Sequence, residues 1–180
     1  MRISKTTAAV AAILIGAGAP ALAQDAMTAE VMTADGTAAG TVTFEQVEHG
    51  VVIIAELENL PEGPHGFHIH ETGACEPDFQ AAGGHYSPTD NVHGFNSPDG
   101  YHAGDLPNIH VAADGTAQAE FFAPHLMLGE PEGDGAPFTL ADEDGSAIMV
   151  HENGDDYQAD PSGSTGSRIA CGVIAPAQGD

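Results

Sequence analysis

Apolar and polar residues alternate along most of this chain in short runs bounded by Gly and Asp. The run GVVIIAEL, residues 50–57, sets Val51, Ile53, Ala55 and Leu57 on one side of an extended chain, because successive side chains of a strand point to opposite faces. Comparable runs predict further strands near 27–33, 40–47, 65–71, 108–113, 116–122, 146–151 and 168–175. TADGT, AADGT and DEDGS stand between such runs, and Asp-Gly between two strands is a hairpin signal, since the tight turn needs positive φ. No segment keeps a 3.6-residue apolar period for three turns, so little helix is expected. Eight short strands with hairpin turns predict an all-β domain, an antiparallel sandwich or barrel.

Residues 72–107 and 152–167 break the rhythm. Both are rich in Gly, Pro, Asp and Ser and poor in strand formers. Loops this long are commonly functional or disordered, and these two are expected to carry function.

The first 25 residues, MRISKTTAAVAAILIGAGAPALAQD, follow a different logic. Two cations, Arg2 and Lys5, lead into an apolar run that Gly and Pro interrupt too early for a membrane span, and Ala21-Leu22-Ala23 supplies a small-x-small cleavage site. This is the layout of a secretory signal peptide. Residues 1–23 are expected to be removed and residues 24–180 to form one exported domain, with no membrane attachment after cleavage.

Charge then narrows the functional classes. The chain carries 27 Asp plus Glu against 3 Lys plus Arg, and with the leader gone Arg168 is the one basic side chain left. Such a surface repels nucleic acid and anionic membranes. The carboxylates are scattered among apolar runs rather than gathered in a tail, which favours a folded domain. Cys75 and Cys171 are the two cysteines, and in an exported protein two cysteines are expected to pair. A bridge closing a loop of that length contributes roughly 4–5 kcal/mol in chain-entropy terms.

The chain has 10 histidines, and those at 65, 68, 70, 85, 93, 102 and 110 lie close together in sequence. His68 and His70 are two apart on a predicted strand and so share a face, near enough for both rings to reach one ion. His85, His93, His102 and Asp105 lie at the gaps of a single long loop, and three imidazoles with one carboxylate complete a tetrahedral set for a zinc-like ion with no position left for water. His151 ends a predicted strand and could extend the His68/His70 pair. Asp155, four residues on, is placed to orient bound imidazoles through their second nitrogens. His49, His65, His110 and His125 fit no ligand set.

Taken together, GFHIHETGAC, GGHYSP, HAGDLPN, MVHENGDD and GSRIACGVI resemble the copper/zinc superoxide dismutases, in particular their exported bacterial branch. The resemblance implies an eight-stranded Greek-key barrel with two functional loops and a periplasmic antioxidant enzyme that converts superoxide to dioxygen and hydrogen peroxide. It implies copper on His68, His70, His85 and His151, and zinc on His85, His93, His102 and Asp105. His85 would then bridge the ions and relay a proton, Asp155 would link His68 to His93, Cys75 would pair with Cys171, and Arg168 would orient the incoming anion. The chain departs from the family in lacking the lysines that commonly surround the copper channel. A metal buffer without turnover is the competing class, and both monomer and homodimer fit the family.

Overall fold

The computed structural model describes residues 26–89, 91–130 and 137–177; the expected signal peptide lies outside them. Strands β1 (Ala26–Thr33), β2 (Ala38–Val47) and β3 (Gly50–Leu57) form a meander. Strands β4 (Gly63–His70), β5 (Asp105–Val111) and β6 (Ala117–Ala123) follow. β7 (Leu126–Met127) and β8 (Phe138–Thr139) are a short parallel pair outside the main sheet. β9 (Ser146–His151) and β10 (Arg168–Pro176) complete the chain.

Eight strands hydrogen-bond in the order β5-β4-β9-β10-β1-β2-β3-β6, every neighbouring pair antiparallel. The two edges, β5 and β6, approach each other, so the sheet nearly closes into a barrel. The connections from β3 to β4 and from β6 to β9 jump over strands rather than joining neighbours, which makes the topology Greek-key. These eight are the strands expected from the alternation. β7 and β8 were not expected, because two residues are too few to display a period.

Inward positions supply the core. Met27, Ala29 and Val31 of β1, Val51, Ile53 and Ala55 of β3, Phe67 and Ile69 of β4, and Ile148 and Val150 of β9 are all buried in one cluster. Each Ile, Val or Phe removed from water in this way stabilises the fold by about 1.5–3 kcal/mol. β9 departs from simple alternation, since all six of its residues are buried. Its outward residues Ala147 and Met149 pack with Ala82, Cys171, Cys75 and Phe79 in a second cluster outside the barrel. That cluster sits under the disulfide loop, whose single 3-10 turn, Phe79–Ala82, is capped by the Asp78 carboxylate accepting from the Gln80 N–H at 2.9 Å. The long loops therefore lie over the outer face of β4 and β9 and over the Cys171 end of β10.

Asp105 is the correction at this level. The alternation put the strand at 108–113, with Asp105 in the preceding loop, whereas β5 begins at Asp105. Gly104 and Pro107 conceal the strand from propensity, and pairing with β4 decides its start.

Candidate metal centre

The strand registers assemble the centre. Phe67 and Ile69 turn into the barrel, so His68 and His70 turn outward. Across the sheet, His68 stands opposite Met149 on β9 and opposite Asp105 on β5. His151, two residues beyond Met149 on the same outward face, has Arg168 of β10 as its cross-strand partner. An isolated bridge between His70 and His85 then fixes the first long loop against β4. All these histidines are buried, and His68, His70 and His93 have no measurable exposure.

Two donor sets meet at His85. In the first, Asp105 Oδ1 lies 2.8 Å from His85 Nδ1, 3.1 Å from His93 Nδ1 and 3.3 Å from His102 Nδ1. His102 Nδ1 and His85 Nδ1 are 3.4 Å apart. A tetrahedral ion with bonds of 2.0–2.1 Å has donor–donor edges of about 3.3 Å, so the four atoms fit such an ion. Asp105's other oxygen accepts the backbone N–H groups of Gly94 and His102 at 2.9 and 3.1 Å, which holds the carboxylate in place from behind.

The second set is defined by what its atoms lack. His68 Nδ1, His70 Nε2, His85 Nε2 and His151 Nε2 are buried and have no hydrogen-bond partner. Buried polar groups are paired as a rule, so four unpaired imidazole nitrogens in one place call for a ligand. The ligand atoms of His68, His85 and His151 lie within 4.8 Å of one another, and the His70 ring is 5.0 Å from that of His85. In each ring the opposite nitrogen is occupied. His68 Nε2 meets Asp155 Oδ2 at 2.9 Å, His70 Nδ1 meets the Gly83 carbonyl at 3.1 Å, and His151 Nδ1 meets Thr165 Oγ1 at 3.0 Å. His85 Nδ1 faces Asp105. An all-imidazole set of this kind suits copper.

Asp155 joins the two sets, with Oδ2 on His68 and Oδ1 on His93 Nε2 at 3.0 Å. Its own backbone is clamped to β5, because Asn108 Oδ1 accepts the Asp155 N–H at 2.7 Å and Asn108 Nδ2 donates to the Asp155 carbonyl at 3.0 Å.

Electrostatics favour the ligating forms of the copper-type set and of both carboxylates, and the protonated form at His93. Burial first, then the neighbouring imidazoles, lower the pKa of His85 to about 4 and of His151 to about 2, and hold His70 well below its ordinary value. His68 is lowered by burial too. Neutral imidazole is the form that binds metal. Burial opposes ionisation of Asp105 and Asp155, but hydrogen bonds from the surrounding histidines outweigh it, and both carboxyls sit below the ordinary range. At His93 burial is likewise outweighed, by Asp105 and Asp155, and the pKa rises to about 9.

Arg168 is half-buried and makes no ion pair with a carboxylate among the described residues. Its guanidinium donates to the Phe79 carbonyl at 2.5 Å and to the Gly83 carbonyl at 2.6 Å. The Gly83 carbonyl is also the partner of His70, so one backbone oxygen fixes both the cation and a ring of the centre. Cys75 and Cys171 are disulfide-bonded, which ties the loop bearing these carbonyls to β10.

All the predicted site residues thus converge. Sequence reasoning passed over four more contributors: the Gly83 carbonyl, Asn108, Thr165 and His65. Backbone carbonyls and a lone Thr carry no signal of their own in a sequence, while His65 was noticed but left without a role. It is buried, with Nδ1 at 2.7 Å from the His151 carbonyl and Nε2 at 2.8 Å from the Pro61 carbonyl. His49 and His110 are exposed, and His125 bonds the Ala103 carbonyl at 3.0 Å.

A Greek-key barrel with a carboxylate-containing tetrahedral set and an adjoining all-imidazole set on its outer face defines a two-metal β-barrel protein. Residues 38–174 match the family model described as copper/zinc superoxide dismutase. A copper–zinc superoxide dismutase of Caulobacter vibrioides is 47% identical over 149 residues, spanning 82% of this chain and 84% of the relative. One from Legionella pneumophila is 42% identical over 169 residues, 90% and 96% of the two chains. Among solved structures, a superoxide dismutase-like protein from Bacillus subtilis superposes with a TM-score of 0.74 at 41% identity, covering 81% of this chain and 96% of that one. The Cu/Zn superoxide dismutase of Brucella abortus gives 0.67 at 32% identity, covering 83% and 99%. The chain belongs to the copper/zinc superoxide dismutase family.

Proposed function

We infer that this chain is a superoxide dismutase that disproportionates superoxide to dioxygen and hydrogen peroxide with copper and zinc as cofactors. The carrying observation is the group of four unpaired, buried imidazole nitrogens beside the complete His85/His93/His102/Asp105 set. His68 Nδ1, His70 Nε2, His85 Nε2 and His151 Nε2 would hold copper. His85 Nδ1, His93 Nδ1, His102 Nδ1 and Asp105 Oδ1 would hold zinc. When bound, copper supplies one-electron chemistry in both directions, while zinc has no redox change and keeps its ligands in place.

The remaining steps belong to the chain. His85 offers one nitrogen to each set, so with both ions held it would carry no ring proton, and its Nε2, when free of copper, is placed to take up a proton from solvent and pass it to the peroxide product. Arg168 binds and orients the superoxide anion, because a guanidinium presents fixed donors and keeps its charge at any working pH. Its two carbonyl bonds leave further N–H donors for the anion. Asp155 holds the His68 and His93 rings at the angles their ligation needs.

Export to the periplasm completes the reading. It is supported by the leader-like N-terminus, by the disulfide, and by bacterial relatives in the same family. N-terminal sequencing of protein from a periplasmic extract should begin at Gln24.

The test of activity is superoxide decay followed by pulse radiolysis on the copper- and zinc-loaded protein. Catalysed decay that is lost in His151→Ala, together with its bound copper but not its zinc, is the expected result. Full loading of both ions without turnover would instead assign the chain to metal storage.

A further inference from the structure

His151 is held from two sides by residues to which nothing above assigns a role in catalysis. Its carbonyl is bonded by the buried His65, which fixes the backbone of the residue. Its ring Nδ1 faces the Thr165 hydroxyl at 3.0 Å, and Thr165 has no solvent exposure. The Gly166 carbonyl is a second acceptor for that ring.

The orientation of Thr165 is set by packing. Residues 163, 164 and 166 all have positive φ, at 67°, 58° and 75°, and this tight turn points the intervening Thr165 inward. There its methyl group lies over Gly66, in the space a Cβ on that glycine would need, at 2.5 Å. A β-branched side chain has few χ1 choices. With its methyl seated on Gly66, Thr165 presents the hydroxyl to His151. The Asn153 N–H donates to the Thr165 carbonyl at 2.8 Å, anchoring the residue to the segment that follows His151. Gly66, Thr165 and His151 therefore form one packed unit.

We propose that Thr165 is a positioning residue for copper: its hydroxyl accepts the Nδ1 proton of His151 and so fixes the ring rotation and tautomer that leave Nε2 free to ligate. The proposal rests on the reading of His151 as a copper ligand. Polar groups behind a ligating imidazole alter metal affinity by about 10- to 100-fold when removed. With the Gly166 backbone still present, the lower end applies here.

Three variants separate the hydroxyl from the methyl. Thr165→Val keeps the shape and loses the hydroxyl, Thr165→Ser keeps the hydroxyl and loses the methyl, and Thr165→Ala loses both. Each zinc-loaded protein is titrated with Cu(II) against a competing chelator, and its Cu(II) electron paramagnetic resonance spectrum is recorded. Val and Ala should weaken copper binding about tenfold and shift the spectrum, with Ser close to the parent and zinc binding unchanged in all three. If Ser and Ala change while Val matches the parent, packing on Gly66 alone matters and the proposal fails. It fails equally if all three match. His151→Ala is the control for the underlying assignment: an unchanged copper spectrum in that variant would overturn the ligand reading itself, whatever the Thr165 series does.

Discussion

At the scale of single residues the centre works by giving each functional group two attachments, one for its task and one for its aim. Arg168 shows this most clearly. Its bonds to the Phe79 and Gly83 carbonyls leave it directed across the site, and the second of those carbonyls also carries His70. On the proposed role, removing the guanidinium takes away the anion's partner without touching any of the unpaired ring nitrogens. Arg168→Ala should therefore lower the superoxide rate about tenfold, equivalent to ~1.4 kcal/mol of transition-state stabilisation, at unchanged copper and zinc content. Pulse radiolysis with metal analysis of the same sample decides it; an unchanged rate would remove Arg168 from the reaction. Arg168→Lys should recover only part of the loss, since an ammonium cannot serve both carbonyls and the anion in one plane.

At the scale of elements, the strands make the ligands converge and the loops make the convergence rigid. Gly163 illustrates the second point. It has φ +67°, and a Cβ there would overlap the Asp155 carboxylate and crowd His93 Nε2. Gly163→Ala should thus displace the one carboxylate that orients rings of both sets, weakening zinc binding at least tenfold as measured by chelator competition. Parent-like affinity would mean that the loop yields at little cost. The disulfide acts on the other loop. Cys75→Ser with Cys171→Ser opens a bridge between residues 96 positions apart, for which chain entropy gives roughly 4–5 kcal/mol. Thermal unfolding of the metal-free protein should register the loss as a lower Tm, and an unaltered Tm would locate the bridge's value in the native loop alone. These elements also mark how far the sequence could be read. Strands with a clear two-residue period, such as GVVIIAEL, were legible, and so were the histidines and Asp105 that meet at the centre, because histidine and its spacing are chemically distinctive. The start of β5 at Asp105 was hidden by Gly104 and Pro107, and depends on register with β4. The Gly83 carbonyl, Asn108 and Thr165 were hidden for another reason: their roles arise only when a loop folds over the outer face of the sheet.

At the scale of the whole molecule the unusual quantity is charge. Arg168 is the one Lys or Arg from residue 24 onward, against 27 Asp and Glu, while the substrate is an anion. Two fields oppose each other, a local attraction at the centre and a diffuse repulsion from everything else, and they differ in range. At about 0.01 M salt the screening length is near 30 Å, longer than the radius of a domain this size, so an approaching anion meets the summed carboxylates. At 0.15 M it is about 8 Å, and only the charges around the opening are felt. Screening thus removes the repulsion first and leaves the attraction of Arg168 nearly intact. The second-order rate should rise as ionic strength increases from about 0.01 to 0.15 M, measured on the copper- and zinc-loaded protein at constant pH. Asp78 refines the test. It lies near enough to Arg168 to act on its charge, next to the Phe79 whose carbonyl the guanidinium bonds. Asp78→Asn should raise the rate at low salt and narrow its salt dependence. A rate that falls with salt in the parent protein would show that the field of the centre outreaches that of the surface, and that the carboxylates lie where an incoming anion never passes.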